Sequence, residues 1–179
     1  MGKITLVTGG VRSGKSSFAL SYASSKVGTK VFIATAVAID DEMRTRIENH
    51  QAERGKSFFT IEAPYDLSGA ISLLSPEYSI AVVDCLTVWL GNLFYKFDND
   101  MVGIQNAIDT LPDTLLNAST EIILVTNEVG WGIVPENKMA REFRDCSGLL
   151  NQKIAKIADT VVLCVSGIPI TIKGQKDCL

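Results

Sequence analysis

The residues with the clearest chemistry stand near the N-terminus, where Gly9, Gly10, Val11, Arg12, Ser13, Gly14, Lys15 and Ser16 follow the pattern G-x-x-x-x-G-K-S. Glycines in such a run, here Gly9, Gly10 and Gly14, let consecutive backbone N–H groups turn inward around an anion. A helix that starts at the end of the run adds the positive pole of its dipole. In that arrangement Lys15 reaches the β- and γ-phosphates of a nucleoside triphosphate, and the Ser16 hydroxyl is a ligand to Mg2+. A second carboxylate-bearing position fits the same ion. The apolar run Tyr78–Asp84 ends in Asp84, placed to hold a metal-bound water near Ser16. An aspartate there serves equally well as the N-cap of a following helix.

His50 is the only histidine in the chain. Arg46 and Arg54 stand one helical turn before and after it. Two guanidinium groups beside one imidazole lower its pKa, favour a neutral nucleophile and attract a nucleotide phosphate. The plainer reading is a solvated helix face with pairs such as Glu42 and Arg46.

These residues need a frame, and the hydrophobic pattern supplies one. Strands are expected at Lys3–Thr8, Lys30–Thr35, Phe58–Glu62, Tyr78–Asp84, Glu121–Thr126 and Thr160–Val165, with Ile170–Lys173 as a hairpin partner to the last. Helices are expected after Ser16, over Glu42–Arg54, Asp66–Leu74 and Leu86–Tyr95, over Asp100–Leu116 with an interruption near Pro112, and over Glu136–Ala158. Leu86–Tyr95 is apolar almost all round, which suits either a core helix or a subunit interface. Between Asn127 and Pro135 a glycine-rich loop carries Trp131, expected to be exposed. Apolar strands without polar alternation, separated by helices, imply an α/β fold of P-loop NTPase-like type. Its mostly parallel sheet should carry helices on both faces, in a three-layer single domain spanning residues 1–179.

Composition narrows the function classes. With 46% hydrophobic and 21% charged residues the chain can bury an ordinary core. A net charge of -3 and a pI near 5.2 argue against a nucleic-acid partner, whose footprint is clustered Lys and Arg. No apolar run approaches a membrane span and the start lacks a signal-peptide layout, so a cytoplasmic protein with small-molecule partners is expected. Cys85, Cys146, Cys164 and Cys178 have neither C-x-x-C spacing nor a nearby histidine, so neither a zinc site nor a disulfide framework is expected.

Taken together, several blocks resemble one enzyme family. They are the loop Gly9–Ser16, Ile33-Ala-Thr35 with Asp40-Asp-Glu-Met43, Arg46-Ile-x-x-His50, Val83-Asp-Cys-Leu-Thr87 and Val125-Thr-Asn-Glu-Val-Gly-x-Gly-Ile-Val-Pro-Glu-Asn137. Shorter matches at Phe143-Arg-Asp145, Asn151-Gln152, Ala158-Asp159 and Val165-Ser-Gly167 extend the likeness from about Ile4 to Lys173. The pattern is similar to that of the bifunctional adenosylcobinamide kinase / adenosylcobinamide-phosphate guanylyltransferases. The resemblance implies a chain that phosphorylates adenosylcobinamide and then transfers GMP from GTP to the product through a GMP-histidine intermediate, in cobalamin biosynthesis. It implies His50 as that histidine and Lys15 as its catalytic partner, with GTP, ATP and Mg2+ as cofactors, a corrinoid as substrate, and a homotrimer to which Leu86–Tyr95 could contribute. By the same matching the nucleotide should touch Gly9 to Ser16, Thr35, Ala36, Val37, Gln51, Ala52, Glu53, Arg54, Glu62 and Asp84. Gln51 and Gly55 depart from the Arg and Pro frequent in the family.

Two other readings predict different residues. Another small-molecule P-loop kinase needs Lys15, Ser16 and Asp84 and leaves His50 idle. A GTPase switch reads guanine through an N-K-x-D loop after a late strand; Thr126-Asn-Glu-Val129 holds that place, with neither the Lys nor the Asp.

Overall fold

The computed structural model describes residues 2–38 and 57–174. The expected helix Glu42–Arg54 falls outside them. Seven strands form one sheet: β1 (Ile4–Gly9), β2 (Thr29–Ala34), β3 (Phe58–Glu62), β4 (Tyr78–Asp84), β5 (Glu121–Val125), β6 (Thr160–Val165) and β7 (Ile168–Lys173). Their spatial order is β3-β2-β4-β5-β1-β6-β7. Every neighbouring pair is parallel except β6 and β7, joined as a hairpin through Ser166 and Gly167.

Alternation within the strands divides the core in two. Ile4 and Leu6 of β1, Val31 and Ile33 of β2, and Ile122 and Leu124 of β5 face one side. There they meet α2 (Leu67–Ser72), α3 (Leu86–Lys96), α4 (Met101–Asn117) and α5 (Lys138–Ile157). Val7, Phe32, Val82, Ile123 and Val162 face the other side and pack on Ala19, Leu20 and Ala23 of α1 (Lys15–Ser25). Strands buried on both faces need no polar residue at every second position, which is why their sequences read as continuous apolar runs.

The α3 segment resolves toward the core. Leu86, Trp89, Leu90, Leu93 and Phe94 are all buried, and the Trp89 indole N–H donates to the Tyr65 carbonyl at 3.1 Å. Tyr95 is the large side chain of that helix left outside, at 86% exposed.

Pro112 interrupts nothing: α4 runs through it. Proline removes one donor and crowds the preceding turn, a cost of about 3 kcal/mol in an isolated helix interior. Ile104, Ile108 and Leu111 before it and Leu115 after it are completely buried, so packing anchors the helix on both sides of the defect. Gly148 likewise sits inside α5 without breaking it. The hairpin partner is longer than the apolar pattern implies, starting at Ile168, because Pro169 on an edge strand forfeits no ladder bond that a central strand would need.

Candidate active site

The site is built at the carboxyl edge of β1 and β4, with β5 lying between them. After β1 the chain turns through the glycine-rich loop and enters α1 at Lys15. Gly9 has φ 150°, and a Cβ there would stand 2.3 Å from the Cys164 carbonyl oxygen of β6. Gly14, the N-cap of α1, is left-handed at φ 92°, and a Cβ on it would meet Gly167 Cα at 3.0 Å. Gly10 differs from expectation: it has no positive φ, and a Cβ there would touch nothing within 4 Å. The strained turn falls instead on Arg12, whose φ is 54°.

Lys15 is 7% exposed. Its ammonium donates to the Gly10 carbonyl at 2.5 Å and to Ser13 Oγ at 3.3 Å. Burial pulls its pKa below the ordinary lysine value, opposed by the charges of Cys85, Asp84 and Cys164 nearby. Asp84 therefore lies within electrostatic reach of Lys15. The Cys85 thiol next to it is pushed up to about 12, by burial first and by Asp84 second. Such a thiol is inert at neutral pH.

Helix caps divide the helices by location. Asp66 caps α2, Asp100 caps α4 and Asn137 caps α5, each accepting from backbone N–H groups of its first turn. No side chain caps α1 or α3, the two helices that start next to the site. The first-turn N–H groups of α1 keep their capacity for another acceptor, whereas those of Thr87 and Val88 in α3 face the Cys85 sulfur.

The other predicted positions fall unequally around this centre. Thr35 is fully buried, and its polar groups serve the fold. Its hydroxyl donates to the Cys85 carbonyl at 2.9 Å and accepts from the Cys85 N–H at 2.7 Å, while its carbonyl accepts from Asn92 at 2.7 Å. Thr35 thus ties the end of β2 to the start of α3. Ala36 and Val37 follow it half-buried, and Glu62 is exposed at the end of β3, beside Ala34 in register. Ser16 is half-buried in the first turn of α1. His50, Gln51, Ala52, Glu53 and Arg54 lie outside the described residues.

A second group reaches this edge that sequence reasoning gave no role. The loop after β5 carries Thr126, Asn127 and Glu128. The Thr126 hydroxyl donates to Asn151 Oδ1 at 2.8 Å, Asn151 Nδ2 donates to the Asn127 carbonyl at 3.3 Å, and the Asn127 N–H donates to Thr87 Oγ1 at 2.8 Å. Glu128 accepts from the Thr8 hydroxyl of β1. Farther along, Arg144 holds the Gly130 carbonyl and Arg141 those of Pro135 and Glu136, which leaves Trp131 68% exposed. The signals in the sequence were the polar cluster itself, just after an apolar strand, and its place in a block that carries the family resemblance, neither of which gave Glu128 a role.

A parallel sheet with a glycine loop leading from β1 into an uncapped helix, and a carboxylate at the end of β4, defines a P-loop nucleotide-binding α/β protein. Solved structures agree on the fold: the RadB recombinase matches with a TM-score of 0.52 at 15% identity, over 90% of this chain and 73% of that one. A Pyrococcus horikoshii OT3 protein matches with a TM-score of 0.60 at 10% identity, over 98% and 88%. Within that class the sequence is specific. Residues 5–172 match the family described as cobinamide kinase / cobinamide phosphate guanyltransferase, and the chain belongs to that family of bifunctional enzymes. The bifunctional adenosylcobalamin biosynthesis proteins CobU of Salmonella typhimurium and of Escherichia coli are each 39% identical to it, over 94% of this chain and 98% of theirs. CobP of Pseudomonas aeruginosa, described in the same words, is 36% identical over 95% and 97%.

Proposed function

We propose that this chain phosphorylates the side-chain hydroxyl of adenosylcobinamide with a nucleoside triphosphate, then transfers GMP from GTP to the product. The end product is adenosylcobinamide-GDP, and pyrophosphate is released. The observation that carries the reading is a family match running through the whole folded region, joined to a phosphate loop with Lys15, Ser16 and Asp84 gathered at one edge. One triphosphate site serves both reactions, with ATP or GTP as the phosphoryl donor. The nucleotide contacts extend over Gly9 to Ser16, Thr35, Ala36, Val37, Gln51, Ala52, Glu53, Arg54, Glu62 and Asp84. Thr35 contributes by position, since its polar groups are engaged within the fold. The chain acts as one domain over residues 1–179, in the cytoplasm and as a homotrimer.

In the guanylyl step a neutral imidazole nitrogen of His50 attacks the α-phosphorus, the bond to the β-phosphate oxygen breaks, and pyrophosphate leaves with the electron pair. Lys15 offsets the charge that builds on the leaving group. A phosphate oxygen of the cobinamide phosphate then attacks the same phosphorus and releases His50. The donors available fit Mg2+ as an ion bound mainly by phosphate and water. Ser16 and Asp84 offer two oxygens, and among the described residues no three His, Cys, Asp or Glu side chains gather into a self-sufficient metal site. When bound, the ion would neutralise charge on the phosphate oxygens.

Incubation with α-labelled GTP and Mg2+ tests the reading. Acid-labile, base-stable label should appear on the wild-type chain and be absent from His50→Asn, which should still make adenosylcobinamide phosphate. Equal labelling of the two proteins would remove His50 as the nucleophile. A wild-type chain that neither takes label nor phosphorylates adenosylcobinamide would overturn the whole reading.

A further inference from the structure

The reactions above leave one carboxylate at the site without a task. Glu128 is fixed at two points to the end of β1: the buried Thr8 hydroxyl donates to Glu128 Oε1, and the Glu128 N–H donates to the Gly9 carbonyl at 3.1 Å. Its other oxygen, Oε2, accepts no hydrogen bond from a described residue. Because β5 lies between β1 and β4, Glu128 leaves the sheet between the strand feeding the phosphate loop and the strand ending in Asp84. The neighbouring acids are otherwise placed. Asp84 is the metal-side carboxylate, Glu62 is exposed on the outermost strand, and Asp66 caps α2.

The two reactions differ in what they ask of a base. An alcohol must lose its proton as its oxygen bonds to phosphorus, and a positioned carboxylate can take it. A phosphate monoester attacking a phosphohistidine brings an oxygen that already carries charge, so that step needs no base. We infer that Glu128 is the general base of the alcohol-phosphorylating step, held in position by Thr8; this rests on the kinase half of the function proposed above. In that step the substrate hydroxyl proton passes to Glu128 Oε2 as the new O–P bond forms to the γ-phosphorus. The bond from that phosphorus to the bridging oxygen breaks, the nucleoside diphosphate leaves with the electron pair, and Glu128 returns the proton to water.

The test is Glu128→Gln, which keeps the shape of the side chain and its ability to accept from Thr8. Adenosylcobinamide phosphorylation should fall by about 10²- to 10⁴-fold in kcat, the usual worth of a positioned base, with the triphosphate KM within about threefold of wild type. Labelling by α-labelled GTP should stay at the wild-type level. Thr8→Val should lower kcat less, by about tenfold, with the triphosphate KM unchanged; Thr8→Ser should restore kcat. Kinase activity of Glu128→Gln within threefold of wild type would overturn the base. So would equal loss of kinase activity and GMP labelling, which would make Glu128 a brace of the phosphate loop. Absence of kinase activity in a wild-type chain that still takes GMP would overturn the kinase reading, and this assignment with it.

Discussion

The loops after β1 and β5 leave adjacent parallel strands at the same edge, yet they are built by opposite means. The β1 loop is held by backbone: left-handed turns, close approaches to β6 and the β6–β7 turn, and a helix that starts without a side-chain cap. The β5 loop, beyond its backbone bonds to Val7 and Gly9, is held by side chains, through Thr126, Asn151, Thr87 and Thr8. A loop that must surround an anion has to keep its N–H groups unspent, so its shape is set by residues lacking a Cβ. A loop that presents one carboxylate has to fix one side chain, so its shape is set by partners with hydroxyls and amides.

The contrast is broken most severely at Gly9. Gly9→Ala puts a methyl group 2.3 Å from the Cys164 oxygen in a backbone conformation that alanine resists. A loss of about 3 kcal/mol or more in unfolding free energy is expected, with both activities abolished, as read by denaturant titration and the two assays.

Next is Lys15→Met, with a loss of about 10²- to 10³-fold in kcat for each activity, as for removal of one preorganised charge contact. Its stability should move the other way. Burial lowers the folded-state pKa of Lys15 below that of the unfolded chain, so keeping it protonated destabilises the native state. As pH rises toward 10.5 the native protein releases that proton first, and wild type gains stability relative to the variant. Melting curves should therefore show Lys15→Met the more stable at neutral pH and the gap closing in alkaline buffer. A gap that widens with pH would contradict the desolvation argument.

Asn151→Leu attacks the second loop. It strips the acceptor from Thr126 and the donor from the Asn127 carbonyl in a position only 8% exposed, at a cost of about 1–3 kcal/mol. Kinase activity should fall more than GMP labelling does. Gly10→Ala should do least. With open space around its Cβ, the change should stay within about 0.5 kcal/mol in thermal unfolding.

The same contrast explains what could be read from the sequence. The phosphate loop is local, eight consecutive residues, and its strand and helix flanks are where the apolar pattern puts them. The strand ending in Asp84 was legible for the same reason. The β5 loop closes through Thr8, Thr87 and Asn151, residues 120, 40 and 24 to 25 positions away, and no spacing rule connects them. Gly10 and Pro112 show the converse limit. Each residue type was read for its intrinsic backbone preference, whereas in the fold Arg12 takes the positive φ and buried Ile108, Leu111 and Leu115 hold α4 through the proline.

The seating of the phosphate loop also has a consequence for the order in which the protein becomes competent. β1 is central, and its partners β5 and β6, which begin at Glu121 and Thr160, are made after it. The Gly167 N–H, which donates to the Ser13 carbonyl at 3.0 Å, is synthesised later still. At roughly 5–20 residues per second on the ribosome, the phosphate loop therefore waits on the order of ten to thirty seconds for this contact. A nascent chain stalled before residue 160 carries the whole glycine motif and should retain no nucleotide, so the motif is complete well before it becomes a binding site.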